Sequence, residues 1–213
     1  MGKTQIEWTE FSVNPIRAEN TETQNRGHFC ELAGEGCDNC YAGKWNASRR
    51  HETMSAGTGL EYVASNRSKV RLYLDESVLQ KVIARAKGTK FFWCDMTDMF
   101  LRHRPDDWIA DCFGVMLGTR RHRHQVLTKR PETLRKFLRH WTWEDCLNHS
   151  KRLFKERARR HQEFKQQEVP SWIWVGTSVE NQTNVDRRVK QLVQCPAKVR
   201  LQEKMSCDCR RSG

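Results

Sequence analysis

Short apolar runs alternate along this chain with longer stretches in which apolar residues recur at helical spacing. Residues 90–94 form an apolar run of the kind found in strands buried on both faces of a sheet. After Pro105, a stripe of apolar side chains continues to Met116 and predicts a helix. A second short strand is expected at 125–128. This order of strand, helix and strand predicts βαβ units and a parallel sheet.

The same pattern predicts elements on both sides of that unit. Further strands are expected at 6–11, 70–74, 172–178 and 198–201. Further helices are expected near 42–50, after Asp75 as N-cap, from Pro131, and along Val185, Val189, Leu192 and Val193. Because repeated βαβ units wind with one hand, they curve into a barrel or an open doubly wound sheet. The prediction is an α/β fold, a partial (β/α) barrel of about six parallel strands.

Residues 143–167 break this alternation. Helix-forming residues dominate the segment, its apolar line is sparse, and Lys and Arg recur throughout it. We expect a basic helical insertion before the fifth strand. Contact with a phosphate backbone and a solvated charged face are both open interpretations of it.

Composition narrows the class of protein. A length of 213 residues suits one domain, and the net charge of +12 favours polyanionic partners, with nucleic acid first among them. Solvated Lys and Arg faces would give the same charge. The sequence has no apolar run long enough for a membrane span and no apolar stretch at its start, so we expect a cytoplasmic protein. Nine cysteines in a reducing compartment favour metal binding or burial over disulfides.

Three of these cysteines lie close together, at Cys30, Cys37 and Cys40. Two residues separate the last pair, a spacing at which both thiolates can bind one metal centre. Three soft ligands without an evident fourth are typical of an iron–sulfur cluster that keeps one position open. A structural zinc site requires four ligands, and His28 would supply the fourth of a Cys3His site. Both kinds of centre fit the spacing.

Polar residues follow several of the predicted strands directly. Carboxyl ends of parallel strands form the functional face of βα folds. We therefore predict contacts with a cofactor or substrate there, while no residue is assigned a catalytic role. The candidates are Asp98, Lys129, Ser178, Glu180 and Asn181.

Several segments in fixed order resemble the phage-associated three-cysteine-motif family, which is described as phage protein gene product thirty-seven/sixty-eight, of unknown function. The matching segments are 4–9, 14–18, 36–42, 96–100, 125–131 and 175–182. The resemblance extends over about residues 4–201. It implies a radical-SAM-like barrel, similar to the spore photoproduct lyase branch, over 1–201 with a cluster loop at 30–40.

By this resemblance Cys30, Cys37 and Cys40 would hold a [4Fe–4S] cluster whose fourth iron binds S-adenosylmethionine. The chain would be a radical enzyme of phage or mobile-element origin that acts on nucleic acid or a nucleotide, with a protein encoded nearby as a further candidate partner. The alternatives are a zinc-binding, nucleic-acid-binding protein without catalysis, or an inactive truncated family member. Residues 202–213 match none of the family's expected ending, so the expectation is a barrel truncated at the C-terminus with a polar tail.

Overall fold

The computed structural model describes residues 1–48, 57–154 and 168–204, and it has a mixed α/β architecture. The strands in chain order are β1 (Gly2–Lys3), β2 (Phe11–Val13), β3 (Ile16–Asn20), β4 (Arg26–Gly27), β5 (Val70–Leu74), β6 (Lys90–Trp93), β7 (Arg123–Thr128), β8 (Ile173–Val179) and β9 (Arg200–Lys204). The α-helices are α1 (Tyr41–Ala47), α2 (Glu76–Ala84), α3 (Asp106–Gly118), α4 (Pro131–His140), α5 (Trp143–His149) and α6 (Gln182–Val193).

Six strands form one sheet in the order β1-β2-β6-β7-β8-β9. Each neighbouring pair from β2 to β9 is parallel, and β1 runs antiparallel to β2. The prediction of an α/β fold with a mostly parallel sheet is confirmed, and five of the six strands of this sheet are parallel. Strands β2, β6, β7, β8 and β9 share one direction, so their carboxyl ends lie along one edge of the sheet. The loops that follow these strands meet at that edge.

The strand predicted at 6–11 is displaced along the chain. The N–H of Thr9 donates to the carbonyl oxygen of Ile6 at 3.2 Å and closes a turn. The strand begins only at Phe11, which pairs with Phe91 of β6. The apolar residues before it therefore belong to the turn. Trp8 of that turn packs on Phe92, with ring centroids 4.9 Å apart.

Val70–Leu74 is a strand, as predicted, but it does not belong to the parallel sheet. It pairs antiparallel with β3, and β3 pairs with β4, so these three strands form a second sheet in the order β4-β3-β5. The expected number of parallel strands was therefore too high. The cause is a strand pairing between residues far apart in sequence, which alternation along the chain does not reveal.

Helices α2 to α6 contribute buried residues to a core shared with the parallel sheet. One face of the sheet supplies Phe91, Trp93, Val126, Ile173 and Val175 to this core. Helix α2 begins after Asp75, as predicted, and the carboxylate of Asp75 accepts the N–H of Ser77 at 3.1 Å as the N-cap. Its buried side chains are Val78, Leu79, Val82 and Ile83. In the described part of the chain, none of the helices has the length and apolar character that crossing a bilayer requires.

Helix α6 departs from its predicted apolar stripe. The side chains that it buries are Asn184, Arg188 and Leu192, whereas Val193 is 61% exposed. The buried face is thus partly polar and charged. This face is polar because it contacts the loop that carries Cys30, Cys37 and Cys40, which we call the cysteine loop.

The segment predicted as a basic helical insertion is described only in its first half. Helix α5 begins with a capping box, in which Thr142 and Asp145 exchange hydrogen bonds. It ends at His149, and a short 3-10 turn, Ser150–Phe154, follows. Residues 155–167, which hold most of the basic side chains, lie outside the described residues.

Candidate functional site

The three cysteines lie on one loop between β4 and α1. Glu35–Cys37 form a 3-10 turn, and Cys40 is the N-cap residue of α1. The N–H of Cys37 donates to Gly34 O at 2.9 Å, and the N–H of Cys40 donates to Cys37 O at 3.1 Å. These hydrogen bonds fold the loop back on itself and place Cys37 and Cys40 one turn apart.

All three thiols are half-buried and none is in a disulfide. Cys30 and Cys40 pack against a small second core that includes Phe29 and Leu101. The thiol of Cys37 accepts the N–H of Ala33 at 3.3 Å. The loop thus presents three free thiols that are neither fully exposed nor sealed in the core.

The electrostatics of Cys30 show how close its neighbours are. Burial raises the pKa of Cys30 to about 12, and the carboxylate of Asp98 adds to this rise. The guanidinium of Arg130 acts in the opposite direction, whereas Cys37 and Cys40 raise the pKa of Cys30 further. Cys37 and Cys40 therefore each lie within electrostatic range of Cys30.

The carboxyl end of β7 brings two cations to the loop. The Nζ of Lys129 donates to Gly36 O at 3.0 Å and lies 3.6 Å from the Sγ of Cys37. The guanidinium of Arg130 donates to Glu31 O at 2.7 Å. Positive charge beside thiols stabilises the thiolate form, which is the form that binds metals.

Asp98, which follows β6, is buried, and both of its carboxylate oxygens are occupied. One oxygen accepts from the hydroxyl of Thr128 at 2.7 Å and from the N–H of Phe100 at 2.9 Å. The other accepts from the N–H of Lys129 at 3.0 Å and from Arg130 at 3.1 Å. Asp98 thus joins the ends of β6 and β7 and holds the guanidinium of Arg130 against the cysteine loop.

The carboxyl end of β8 contacts the loop through Glu180. Its carboxylate accepts the N–H of Gly36 at 3.2 Å and forms an ion pair with Arg188 at 2.7 Å. A Cβ at Gly36 would lie 2.6 Å from the carboxyl carbon of Glu180, so the close approach requires glycine. Arg188 also donates to Ser178 O at 2.8 Å and to Ala33 O at 3.2 Å. Arg188 therefore ties α6, the end of β8 and the cysteine loop together.

Asn181 and Ser178 complete this end of the sheet. The side-chain oxygen of Asn181 caps α6 by accepting the N–H of Asn184 at 2.9 Å, and its amide donates to Glu35 at 2.9 Å. Ser178 is a buried residue of β8. All five predicted contact residues thus gather at one edge of the sheet. Lys129, Glu180 and Asn181 hydrogen-bond to the cysteine loop directly. Asp98 and Ser178 are linked to it through Arg130 and Arg188.

A further link joins the ends of β2 and β6. The amide of Asn14 donates to the carboxylate of Asp95 at 2.5 Å, and its oxygen accepts the N–H of Met96 at 3.1 Å. Burial raises the pKa of Asp95. The hydroxyl of Tyr41, the residue after Cys40, donates to Asp95 O at 2.9 Å. This link connects the start of α1 to the same edge of the sheet.

Sequence reasoning missed Arg188 as a residue of this site. The predicted stripe of Val185, Val189, Leu192 and Val193 does not include it. The available signal was the spacing of Glu180, Asn184 and Arg188, which recur every four residues. Helical periodicity places Asn184 and Arg188 on one face of α6, and Glu180 directly precedes the N-cap of that helix.

Cys30, Cys37 and Cys40 are the right kind of ligand for a thiolate-bound metal centre, but their side chains are not arranged as a ready metal site. Within residues 1–48, 57–154 and 168–204, no three His, Cys, Asp or Glu side chains are grouped so that they could hold a metal ion. Three free thiols on one loop, with Lys129 and Arg130 to balance their charge, remain the appropriate ligands for an iron–sulfur cluster. The thiols would have to converge to bind it.

His28 has other partners than a metal at this loop. Its Nδ1 lies 3.3 Å from Ile16 O, and its Nε2 lies 3.3 Å from a nitrogen of Arg17. Burial and the charge of Arg17 lower the pKa of His28 to about 3. A guanidinium beside the ring disfavours a bound cation, so a Cys3His zinc site would require His28 to leave both contacts.

Comparison with known proteins gives a family without a known activity. None of the curated proteins matches the chain. None of the solved structures matches it either. A family model described as "Protein of unknown function (DUF5131)" matches residues 3–207, nearly the whole chain, and the chain therefore belongs to that family.

Proposed function

We propose that the chain is an iron–sulfur, S-adenosylmethionine-dependent enzyme of phage or mobile-element origin, with its site at the carboxyl edge of the parallel sheet and a nucleic acid or nucleotide as substrate. In this proposal the sheet is a partial (β/α) barrel. One observation carries it: the loop with Cys30, Cys37 and Cys40 is tied to the ends of β6, β7 and β8. Sites of βα folds lie at this edge.

Cys30, Cys37 and Cys40 would hold the cluster, and the second core would shield Cys30 and Cys40 from water on one side. When bound, such a cluster supplies an electron for cleavage of a carbon–sulfur bond of S-adenosylmethionine. Lys129 is the candidate to bind the carboxylate of that cofactor, because its ammonium has three N–H donors and uses at most two of them for Gly36 O and the Sγ of Cys37. Arg130 is engaged by Asp98 and Glu31. Lys129 and Arg130 would also offset the negative charge of the three thiolates.

Asp98 and Arg188 act as positioning residues in this proposal. Asp98 uses both oxygens to hold the ends of β6 and β7, and Arg188 holds Glu180 against Gly36. Glu180 is therefore placed to fix the backbone of the loop. Asn181, at the rim of the same edge, is a candidate for contact with cofactor or substrate.

The test is anaerobic reconstitution of the full chain with iron and sulfide, followed by reduction with dithionite and an assay of S-adenosylmethionine cleavage to 5′-deoxyadenosine. We expect a brown protein with thiolate-to-iron charge-transfer absorbance and product formation. Cys37→Ser should lose both properties. Cys195→Ser is the matched control, because Cys195 is buried elsewhere, between α6 and β9, and should leave both properties unchanged.

Two outcomes would overturn the proposal. If Cys37→Ser keeps both the brown colour and the cleavage activity, the cysteine loop does not hold the cluster. A colourless protein that takes up one equivalent of zinc, with loss of zinc in both Cys37→Ser and His28→Ala, would establish the alternative of a zinc-binding protein without catalysis.

A further inference from the structure

A cavity of about 280 Å³ lies between the loop that follows β6 and the helix α4. The buried side chains of Leu101 and Phe137 supply its apolar lining. A space of this size lies just below the usual range of small-molecule sites, and it is large enough for a group such as a phosphate.

The polar lining of the cavity is strongly cationic. It consists of Arg102, His103, Arg104, Lys136 and His140, together with Thr133 and the carboxylate of Asp106. Three permanent positive charges thus face one negative charge. Such an excess in a concave site concentrates field lines and favours an anion.

Arg104 is the buried member of this group, with its side chain only 6% exposed. Its Nε donates to Met99 O at 3.3 Å, and its NH1 group pairs with Asp106. Burial lowers the pKa of Arg104. Within the described residues its NH2 group has no hydrogen-bond partner, although a guanidinium can bind an anion through two parallel hydrogen bonds.

His140 adds a donor or acceptor. Its Nδ1 lies 2.9 Å from Lys136 O, and a carbonyl oxygen only accepts, so Nδ1 carries a proton. The second ring nitrogen is then an acceptor in the neutral ring and a further donor when the ring is protonated.

The loop that carries Arg102 and Arg104 is held firmly at its start. Met99, Phe100 and Leu101 are completely buried, so the cationic residues after them extend from an anchored segment. A preorganised site loses less conformational entropy on binding than a mobile one.

The cavity adjoins the candidate site. Leu101 lines the cavity and also packs in the second core that contains Cys30 and Cys40. Helix α4, the opposite side, begins directly after Arg130. A ligand anchored in the cavity would therefore extend along the same edge of the sheet.

We propose that this cavity binds the phosphate of one nucleotide unit, through Arg102, Arg104 and Lys136. The proposal deepens the proposed function by naming a substrate-anchoring site, and it rests on that function only for its role in a reaction. The binding itself requires no cofactor.

The test measures binding of a fluorescein-labelled single-stranded oligonucleotide to the full chain by polarisation over a series of salt concentrations. Loss of one phosphate contact lowers the slope of log K against log salt by about one. We expect this decrease for Arg102→Gln and for Lys136→Gln, and about twice the decrease for the double variant. Lys81→Gln, at an exposed position on α2, is the matched control and should leave the slope unchanged.

A nucleoside 5′-monophosphate as competitor distinguishes a polymer from a free nucleotide. Displacement of the oligonucleotide supports one shared phosphate site. If the chain binds the mononucleotide but not the oligonucleotide, and Lys136→Gln abolishes that binding, the site exists and its ligand is a free nucleotide. Equal slopes in all variants, or binding of neither ligand, would overturn the proposal. Because the assay needs no iron, its failure is distinguishable from a failure of the reconstitution.

Discussion

Glu180 and Arg188 form a two-point ion pair at 2.7 and 3.2 Å, and their side chains are 2% and 0% exposed. The pair lies directly beneath the cysteine loop, since Glu180 also accepts the N–H of Gly36 and Arg188 also donates to Ala33 O. Buried charges are costly to remove from water, and they are tolerated where each finds its partner. Here the pair joins a loop, a strand end and a helix that are distant in sequence.

Removal of Arg188 should be strongly destabilising. Arg188→Met leaves the carboxylate of Glu180 buried without its partner, so we expect the free energy of unfolding to fall by about 3–5 kcal/mol. Urea denaturation followed by circular dichroism measures this. Lys190→Met is the matched control on the same helix, where the side chain is exposed and the change should stay within about 0.5 kcal/mol.

The double variant Arg188→Met/Glu180→Gln separates a charge effect from a packing effect. Once the carboxylate is neutral, the penalty for an unpaired charge disappears. Part of the loss in Arg188→Met should therefore be recovered, which appears as a favourable coupling in a double-mutant cycle. Simple additivity of the two single changes would contradict the ion pair as the cause.

Gly36→Ala tests the close approach of the cysteine loop to the end of β8. The new Cβ would lie between 2.6 and 2.8 Å from three side-chain atoms of Glu180, which Arg188 holds in place. We expect a loss of stability of about 1–3 kcal/mol, as is usual for overpacking. Gly2→Ala serves as the control, because a Cβ at Gly2 would have no neighbouring atom within 4 Å. Equal stability of the two variants would show that the loop can move away from Glu180 freely.

Asp98→Asn tests the junction between β6 and β7. The substitution keeps the size of the side chain but removes the charge that pairs with Arg130, and it presents an amide donor to groups that themselves donate. We expect a loss of about 3 kcal/mol in the free energy of unfolding. The control is Asp186→Asn, at an exposed position on α6. A loss no larger than in the control would mean that the junction does not depend on this charge.

The elements that the sequence predicts best are those whose signals are local. Helix α2 follows its apolar stripe and its N-cap at Asp75, because both depend on residues within one helix. The assignment of Val70–Leu74 to the parallel sheet failed because its partner is β3, some fifty residues earlier in the chain. Pairing between distant strands depends on tertiary packing, which local pattern does not contain.

The candidate site was likewise predictable only in part. The positions of Asp98, Lys129 and Glu180 followed from the rule that parallel strands end at one edge. Their contacts did not follow, since Glu180, which precedes α6, pairs with Arg188 on the partly polar buried face of that helix. A sequence pattern shows which residues lie near an edge, whereas the partner of each depends on the packed structure.

The buried His124 should make stability depend on pH. Its Nδ1 accepts the indole N–H of Trp93 at 3.2 Å, and its Nε2 lies 3.1 Å from the hydroxyl of Thr119. Burial, with a smaller effect of His122, lowers the pKa of His124 to about 3. The unfolded chain has the ordinary value of about 6.5, so it binds a proton first as the pH falls.

His124 therefore contributes its full stability above about pH 6.5, and this contribution decreases as the pH falls toward about 3. At pH 5 the expected loss from this one residue is about 2 kcal/mol relative to neutral pH. The glutamine in His124→Gln cannot titrate. Between pH 7 and pH 5 the free energy of unfolding of this variant should therefore fall by about 2 kcal/mol less than that of the unmodified protein. At pH 7 the variant should be the less stable of the two. Urea denaturation at both pH values measures the difference. The same pH dependence in both proteins would mean that His124 is protonated as readily in the folded chain as in the unfolded one.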